Sequence, residues 1–177
     1  MSSGADTASV GRVPEVLIIN GPCGAGKSSV GFECMEVLEE RGIPAAMVDA
    51  ELAYFHPQRG QGEDVAERAL AAVWAVYRGE GIDRLLLPRV IEKPLHLDLV
   101  RRAVPDARIQ IAWLDVTPEL NAERLRAREQ GTGLEWHLNR AEEIRRNAGN
   151  DFADFRVDGS RDLRTIALDL LARAGWV

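Results

Sequence analysis

The residues with the clearest chemical signature form the run GPCGAGKS at positions 21–28. This run matches the pattern GxxxxGK[ST], in which glycines let backbone N–H groups surround a phosphate without Cβ collisions. Lys27 is expected to place its charge on the β- and γ-phosphates, and the Ser28 hydroxyl to bind Mg²⁺. Only Lys27 and Lys93 are lysines in this chain, and one of them occupies the position where arginine substitutes poorly. The motif therefore predicts a phosphate-binding loop.

The segments on either side of this loop have the character that such a site requires. Residues 16–19 form an apolar run typical of a buried strand, and residues 28–41 have the apolar spacing of a helix. A loop between strand and helix directs its N–H groups and the positive end of the helix at one point. The alternative is an ordinary glycine-rich turn.

Asp49 is a second candidate for chemistry, because it ends the next predicted strand at residues 45–49. The carboxyl ends of parallel strands face the ligand in sheets of this kind. A carboxylate there can accept the proton of an acceptor hydroxyl or help to hold Mg²⁺. The alternative is a structural aspartate in a turn or helix cap.

Arginines cluster on both sides of a later Gly-Thr-Gly turn. Arg124 and Arg128 lie on one helical face, and Arg140, Arg145 and Arg146 follow the turn. Converging arginines stabilise the charge that builds up during phosphoryl transfer. The alternative is that they pair with neighbouring glutamates on solvated helices.

The segment after the third predicted strand carries Arg89, Glu92 and Lys93. These side chains either line a pocket for an acceptor molecule or belong to a solvated turn.

Strands and helices alternate along the chain, and most strands are continuously apolar. This pattern predicts an α/β three-layer sandwich with a parallel sheet of about five strands. The predicted strands are residues 16–19, 45–49, 85–87, 109–114 and 156–158. The predicted helices are residues 28–41, 63–78, 95–104, 117–129 and 134–147, and a terminal helix. We expect Thr117 to cap the helix at residues 117–129 and Ser160 to cap the terminal helix. We expect a disordered tail at residues 1–13 and a single domain at residues 14–177, with residues 124–147 as a mobile lid.

Composition narrows the functional class. A chain of 177 residues with 46% hydrophobic content can bury one core, and its net charge of −6 argues against a general nucleic-acid binder. Two cysteines, Cys23 and Cys34, make no disulfide framework and favour a reducing cytoplasm. No apolar run is long enough to span a membrane. The three histidines have no metal-ligand spacing: His56, His96 and His137. We therefore expect a cytoplasmic protein that acts on a small molecule, with neither nucleic acid nor membrane as partner.

Together these residues resemble the small ATP-dependent P-loop kinases, the group that holds adenylate, shikimate and gluconate kinases and chloramphenicol phosphotransferase. The likeness spans nearly the whole chain from Val16. Residues 18–29 and the segment VDAEL at residues 48–52 are similar to chloramphenicol phosphotransferase, where the second segment carries the catalytic aspartate. The resemblance implies the nucleotide-kinase-like P-loop fold with strand order 2-3-1-4-5 and a helical lid. It also implies ATP and Mg²⁺ as cofactors.

The same resemblance implies roles for single residues. Residues 123–128 are similar to the entry of the adenylate kinase lid, which implies that Arg124 stacks on adenine and that Arg128 reaches the phosphates. Residues 139–143 are similar to the lid's exit, which implies that Arg140 bridges donor and acceptor phosphates. Residues 157–160 are similar to the loop whose backbone contacts adenine. The expected nucleotide contacts are Gly21, Cys23, Gly24, Ala25, Gly26, Lys27, Ser28, Ser29, Arg124 and Gly159. The expected catalytic residues are Lys27, Asp49, Arg128 and Arg140, with Ser28 and Asp49 as metal ligands.

The sequence departs from this group in two places. The third strand ends in Leu87-Pro88-Arg89, where many P-loop proteins have an aspartate for Mg²⁺-bound water, so Asp49 is expected to take that role. The expected acceptor region, residues 51–62 and 89–93, matches no member closely. The leading hypothesis is an ATP- and Mg²⁺-dependent phosphotransferase that acts on a hydroxyl or phosphate group. The contrasting hypothesis is a nucleotide-binding regulatory or ATPase module that switches a protein partner. Net charge argues against a third option, a nucleic-acid end kinase.

Overall fold

The computed structural model describes residues 12–49, 62–129, 131–148 and 152–177. These ranges contain five strands and six helices, which alternate except for two consecutive helices between the last two strands. The strands are β1 (Glu15–Asn20), β2 (Ala46–Met47), β3 (Arg84–Pro88), β4 (Arg108–Asp115) and β5 (Phe155–Asp158). The helices are α1 (Lys27–Glu40), α2 (Gly62–Gly79), α3 (Pro94–Ala103), α4 (Pro118–Arg128), α5 (Thr132–Ala148) and α6 (Leu163–Ala174). Most of the predicted tail, and the expected acceptor segment up to residue 61, lie outside the described residues.

The five strands form one parallel sheet in the order β2-β3-β1-β4-β5, which confirms the predicted topology. Strand β1 is central, and Ile18 pairs with Leu87 on one side and Ile111 on the other. Because side chains alternate along a strand, Leu17 and Ile19 face the layer of α1 and α6, whereas Ile18 faces the layer of α2 and α3. The sheet is therefore covered on both faces, as its apolar strands predict.

Strand β3 accommodates a proline at its carboxyl end. The backbone N–H of Arg89 donates to the Ile19 carbonyl at 3.1 Å, so the nitrogen of Pro88 faces the opposite neighbour, β2. Strand β2 ends at Met47, and the N–H that proline lacks falls at the end of that ladder. Strand β3 therefore extends through Pro88, one residue beyond the end of the strand predicted at residues 85–87.

The residues that cap α4 and α6 agree with the sequence prediction for α4 but not for α6. Thr117 caps α4 through its side chain, as predicted. The prediction that Ser160 caps the terminal helix is wrong, because Asp162 immediately precedes α6 and its carboxylate accepts from the Thr165 N–H at 2.9 Å. The Ser160 hydroxyl instead donates to Asp158 at 2.6 Å.

Helices α4 and α5, which contain the predicted lid, pack against the carboxyl edge of the sheet. Leu125, Ala141 and Ile144 are buried, and Ile144 contacts Trp113 of β4. Closure of residues 124–147 as a lid stays a prediction. None of the described helices is both long and apolar enough to cross a membrane.

Candidate active site

The predicted phosphate loop connects β1 to α1 and has the backbone conformation that its glycines allow. Gly24 and Gly26 have φ values of 78° and 97°, in the left-handed region that other residues rarely adopt. Gly26 precedes Lys27, the first residue of α1. The N–H groups of a helix's first turn lack intrahelical partners, so the beginning of α1 can bind an anion.

A cavity of about 350 Å³ opens above this loop. Residues 23–30 line one side of it, and side chains from α4, α5 and α6 line the others. The lining residues outside the loop and α1 are Arg124, Arg128, His137, Gly159, Leu163 and Ile166. Polar groups at the loop and apolar side chains from α6 suit a molecule with a charged end and a flat apolar end.

Lys27 is almost fully buried, at 6% exposure, beside the loop. Its Nζ donates to the carbonyls of Gly21 at 3.2 Å and Pro22 at 3.1 Å. The ammonium group is therefore held at the beginning of the loop, within the wall of the cavity.

Arg124 connects the phosphate loop to the turn after β5. Its Nη1 donates to the Ala25 carbonyl at 3.0 Å, and its Nη2 donates to the Gly159 carbonyl at 2.9 Å. A Cβ atom on Gly159 would lie 2.8 Å from Val116 Cγ1, so only glycine can lie this close to Val116. The structure thus brings together the predicted contacts Arg124, Ala25 and Gly159.

Arg128 lies at the same cavity but is more exposed. Its Nε donates to Glu129 Oε1 at 3.1 Å, and 59% of its side chain is exposed. His137 also lines the cavity, with Nδ1 at 2.8 Å from the Gly133 carbonyl. Sequence reasoning missed His137, because nothing in its spacing marks it.

Arg140 lies outside this cavity, against the segment that follows β3. It binds the Glu92 carboxylate with both terminal nitrogens, with Nη1 at 3.0 Å from Oε2. Burial raises the pKa of Glu92, but the hydrogen bonds and charge of Arg140, with smaller contributions from Asn147 and His96, outweigh it and lower that pKa below its ordinary value. The same hydrogen bonds raise the pKa of Arg140.

This pair resolves one alternative for the segment after β3. Glu92 is only 7% exposed, so the solvated-turn interpretation is wrong for this residue, although Lys93 is exposed. The bridging of phosphates by Arg140 stays a prediction.

Asn20, at the end of β1, connects the phosphate loop to the same segment. Its Oδ1 accepts from the N–H groups of Gly21 at 2.8 Å and Ile91 at 3.0 Å, and its Nδ2 donates to the Ile91 carbonyl at 2.9 Å. The side chain is fully buried. Sequence reasoning missed this role of Asn20, and the signal that could have found it is a polar residue between the apolar run at residues 16–19 and the loop.

Asp49 is half-buried at the carboxyl edge, just after β2. Met47 packs against α1, since a Cβ atom on Gly31 would lie 2.9 Å from its Sδ, and Val48 packs toward the opposite layer. Strand β2 ends at Met47, two residues before Asp49, and Ser28 is the second residue of α1. Among the residues that the structure describes, no cluster of three potential metal-ligating side chains occurs. A magnesium site at Ser28 and Asp49 stays a prediction.

Three solved structures illustrate what this chain is similar to. A gluconokinase from Sinorhizobium meliloti 1021 is 19% identical, with 93% of each chain covered and a TM-score of 0.64. The tunicamycin resistance protein of Deinococcus radiodurans is 18% identical, with 93% of this chain and 97% of that chain covered and a TM-score of 0.65. An APS kinase from Mycobacterium tuberculosis, in complex with AMPPNP and APS, is 21% identical, with 90% and 98% covered and a TM-score of 0.57.

At these identities the likeness shows the fold alone. The predicted resemblance to small P-loop kinases is confirmed at that level. The sequence matches no protein-family model and no curated protein.

Proposed function

We propose that this chain is a phosphotransferase that moves the γ-phosphoryl group of ATP, in the presence of Mg²⁺, to a hydroxyl group of a small molecule. The observation that carries this proposal is the cavity between the phosphate loop and Gly159, which Arg124 connects by two hydrogen bonds. The loop offers N–H groups and Lys27, and the rest of the lining includes the Arg124 side chain and the apolar side chains of Leu163 and Ile166. That combination suits a nucleotide, which has phosphates at one end and a flat base at the other.

The residues have distinct roles in this proposal. The loop N–H groups and Lys27 hold the phosphates, and Arg128 neutralises charge that builds up on the transferred group. Ser28 and Asp49 would hold Mg²⁺, which neutralises phosphate charge when bound. Asp49 accepts the proton of the acceptor hydroxyl. Helices α4 and α5 limit the access of water, since hydrolysis competes with transfer.

The pairing of Arg140 favours a hydroxyl over a phosphate as the acceptor group. A phosphate acceptor would have to draw Arg140 away from Glu92, a buried carboxylate, and from Glu143 at 2.9 Å. A hydroxyl acceptor can bind while Arg140 stays paired with Glu92, because it needs a base such as Asp49 and no second cationic pocket.

The proposal is tested by incubating the protein with ATP, Mg²⁺ and a pool of small metabolites and detecting phosphorylated products by mass. We expect a phosphorylated product with the wild type. Asp49→Asn should keep its ATP affinity while turnover falls by about a hundredfold or more. Asp98→Asn, which alters an exposed aspartate on α3, is the matched control and should keep full turnover. Slow ATP hydrolysis without a product in any pool would favour the regulatory module instead.

A further inference from the structure

Helix α4 contacts the outer side of the phosphate loop through a buried amide. Asn121 is 1% exposed, and its Nδ2 donates to the Cys23 carbonyl at 2.6 Å. Asn121 does not line the nucleotide cavity. Asn121 therefore contacts the loop from the side opposite to the predicted phosphate position.

The orientation of this amide is set by a second side chain. Arg145 of α5 donates through Nη2 to Asn121 Oδ1. A guanidinium group can only donate, so Oδ1 must face Arg145 and Nδ2 must face the Cys23 carbonyl. Arg145 is half-buried, and burial lowers its pKa, although the charges of Glu142, Glu119 and Asp115 oppose this. In the part of the chain that the structure describes, no carboxylate forms an ion pair with Arg145.

The consequence for the loop follows from the geometry of a peptide bond. The Cys23 carbonyl and the Gly24 N–H belong to one planar trans unit, in which they point in opposite directions. Because Asn121 holds the carbonyl outward, the Gly24 N–H points toward the cavity that Gly24 lines. Arg124 binds the Ala25 carbonyl from the cavity side, which fixes the orientation of the peptide unit between Ala25 and Gly26. Helix α4 thus holds two peptide units of the loop.

We propose that Asn121, oriented by Arg145, is a positioning residue that directs the Gly24 N–H at a bound phosphate. This inference rests on the proposed nucleotide site. The binding conformation of the loop then depends on a contact from α4 as well as on the glycines of the motif.

Asn121→Asp tests this role, because it keeps the size of the side chain and replaces the N–H donor that faces the Cys23 carbonyl by an oxygen. The aspartate attracts Arg145, which supports the fold, but its oxygen repels the Cys23 carbonyl. We expect the affinity for ATP to fall by at least about tenfold, with a similar loss for inorganic tripolyphosphate, which has no base. Asn139→Asp, at an exposed position on α5, adds the same charge and should leave both affinities unchanged.

Arg145→Met provides a second test that keeps the amide and removes the group that orients it. We expect both affinities to fall by several-fold, whereas Arg126→Met, at an exposed position on α4, should change neither. Unchanged tripolyphosphate binding in folded Asn121→Asp, or in Arg145→Met if the first variant does not fold, would overturn the positioning role. Failure of the wild type itself to bind ATP would instead overturn the proposed function.

Discussion

Two glycines of the phosphate loop place different demands on a substituting side chain. Gly24 and Gly26 both have positive φ values, but a Cβ atom on Gly24 would lie 2.6 Å from Asn121 Nδ2 and 2.7 Å from Leu125 Cγ. The nearest atom to a Cβ on Gly26 would be Arg124 Nη1, at 3.9 Å. Gly24 is therefore required both by its backbone conformation and by the close approach of α4.

Gly24→Ala should consequently reduce ATP affinity by more than about tenfold, because the added methyl group pushes the loop away from α4. Gly42→Ala is the matched control, since Gly42 also has positive φ (64°) but nothing lies within 4 Å of its added Cβ. It should cost about 1 kcal/mol in free energy of unfolding and leave ATP affinity unchanged. Chemical denaturation measures the free energy of unfolding, and calorimetric titration measures the ATP affinity. Equal ATP affinities in the two variants would show that the contact with α4 does not matter.

The sequence could locate single candidate residues where their chemistry is local or a family motif marks them, and their roles stay predictions. Lys27 and Ser28 belong to a contiguous motif, and Arg124 and Gly159 followed from the family resemblance. Asn121 was missed because its partner in the loop, Cys23, lies 98 positions earlier. Its amide has no chemical signature until the fold brings the two together.

At the scale of elements, the local signals located the helices and strands but not all of their ends. Thr117 capped α4 as predicted, because a cap involves only neighbouring residues. The strand predicted at residues 45–49 pairs only over Ala46–Met47, since the end of a ladder depends on the neighbouring strand. The contact of α5 with the segment after β3, through Arg140 and Glu92, has no sequence signature at all.

That contact predicts how stability depends on pH. The folded-state pKa of Glu92 is lowered, so its stabilisation is complete above the unfolded pKa of about 4.3 and is lost as the pH falls through the folded value. Glu92→Gln should lower the free energy of unfolding by about 1–3 kcal/mol at neutral pH. The difference from the wild type should shrink as the pH is lowered to about 3.5.

The measurement is chemical denaturation of both proteins across this pH range. Glu143→Gln is the control, because Glu143 also contacts Arg140 but is half exposed, and it should cost less than about 1 kcal/mol. A difference between wild type and Glu92→Gln that stays constant with pH would mean that the charge of Glu92 does not stabilise the fold.

At the scale of the whole molecule, strand order explains how distant segments meet. Because β1 is the central strand, the phosphate loop that follows it lies at the middle of the sheet's carboxyl edge, with β3 on one side and β4 on the other. Residues after β3 reach the loop through Asn20, and α4, which follows β4, reaches it through Asn121 and Arg124. The apolar pattern of the strands predicted a parallel sheet, but the order of its strands came from the resemblance. The identity of the acceptor was not predictable, because its expected region matches no related segment.

The most direct test of the proposed nucleotide site is a calorimetric titration of the full chain with ATP and Mg²⁺, compared with Lys27→Ala. Lys93→Ala is the matched control, because Lys93 is the only other lysine and is exposed. We predict that the wild type and Lys93→Ala bind ATP equally, and that Lys27→Ala binds at least about a hundredfold more weakly, since it loses the charge that we propose holds the phosphates. Equal ATP affinity in Lys27→Ala and the wild type would contradict the assignment of this loop as the nucleotide site.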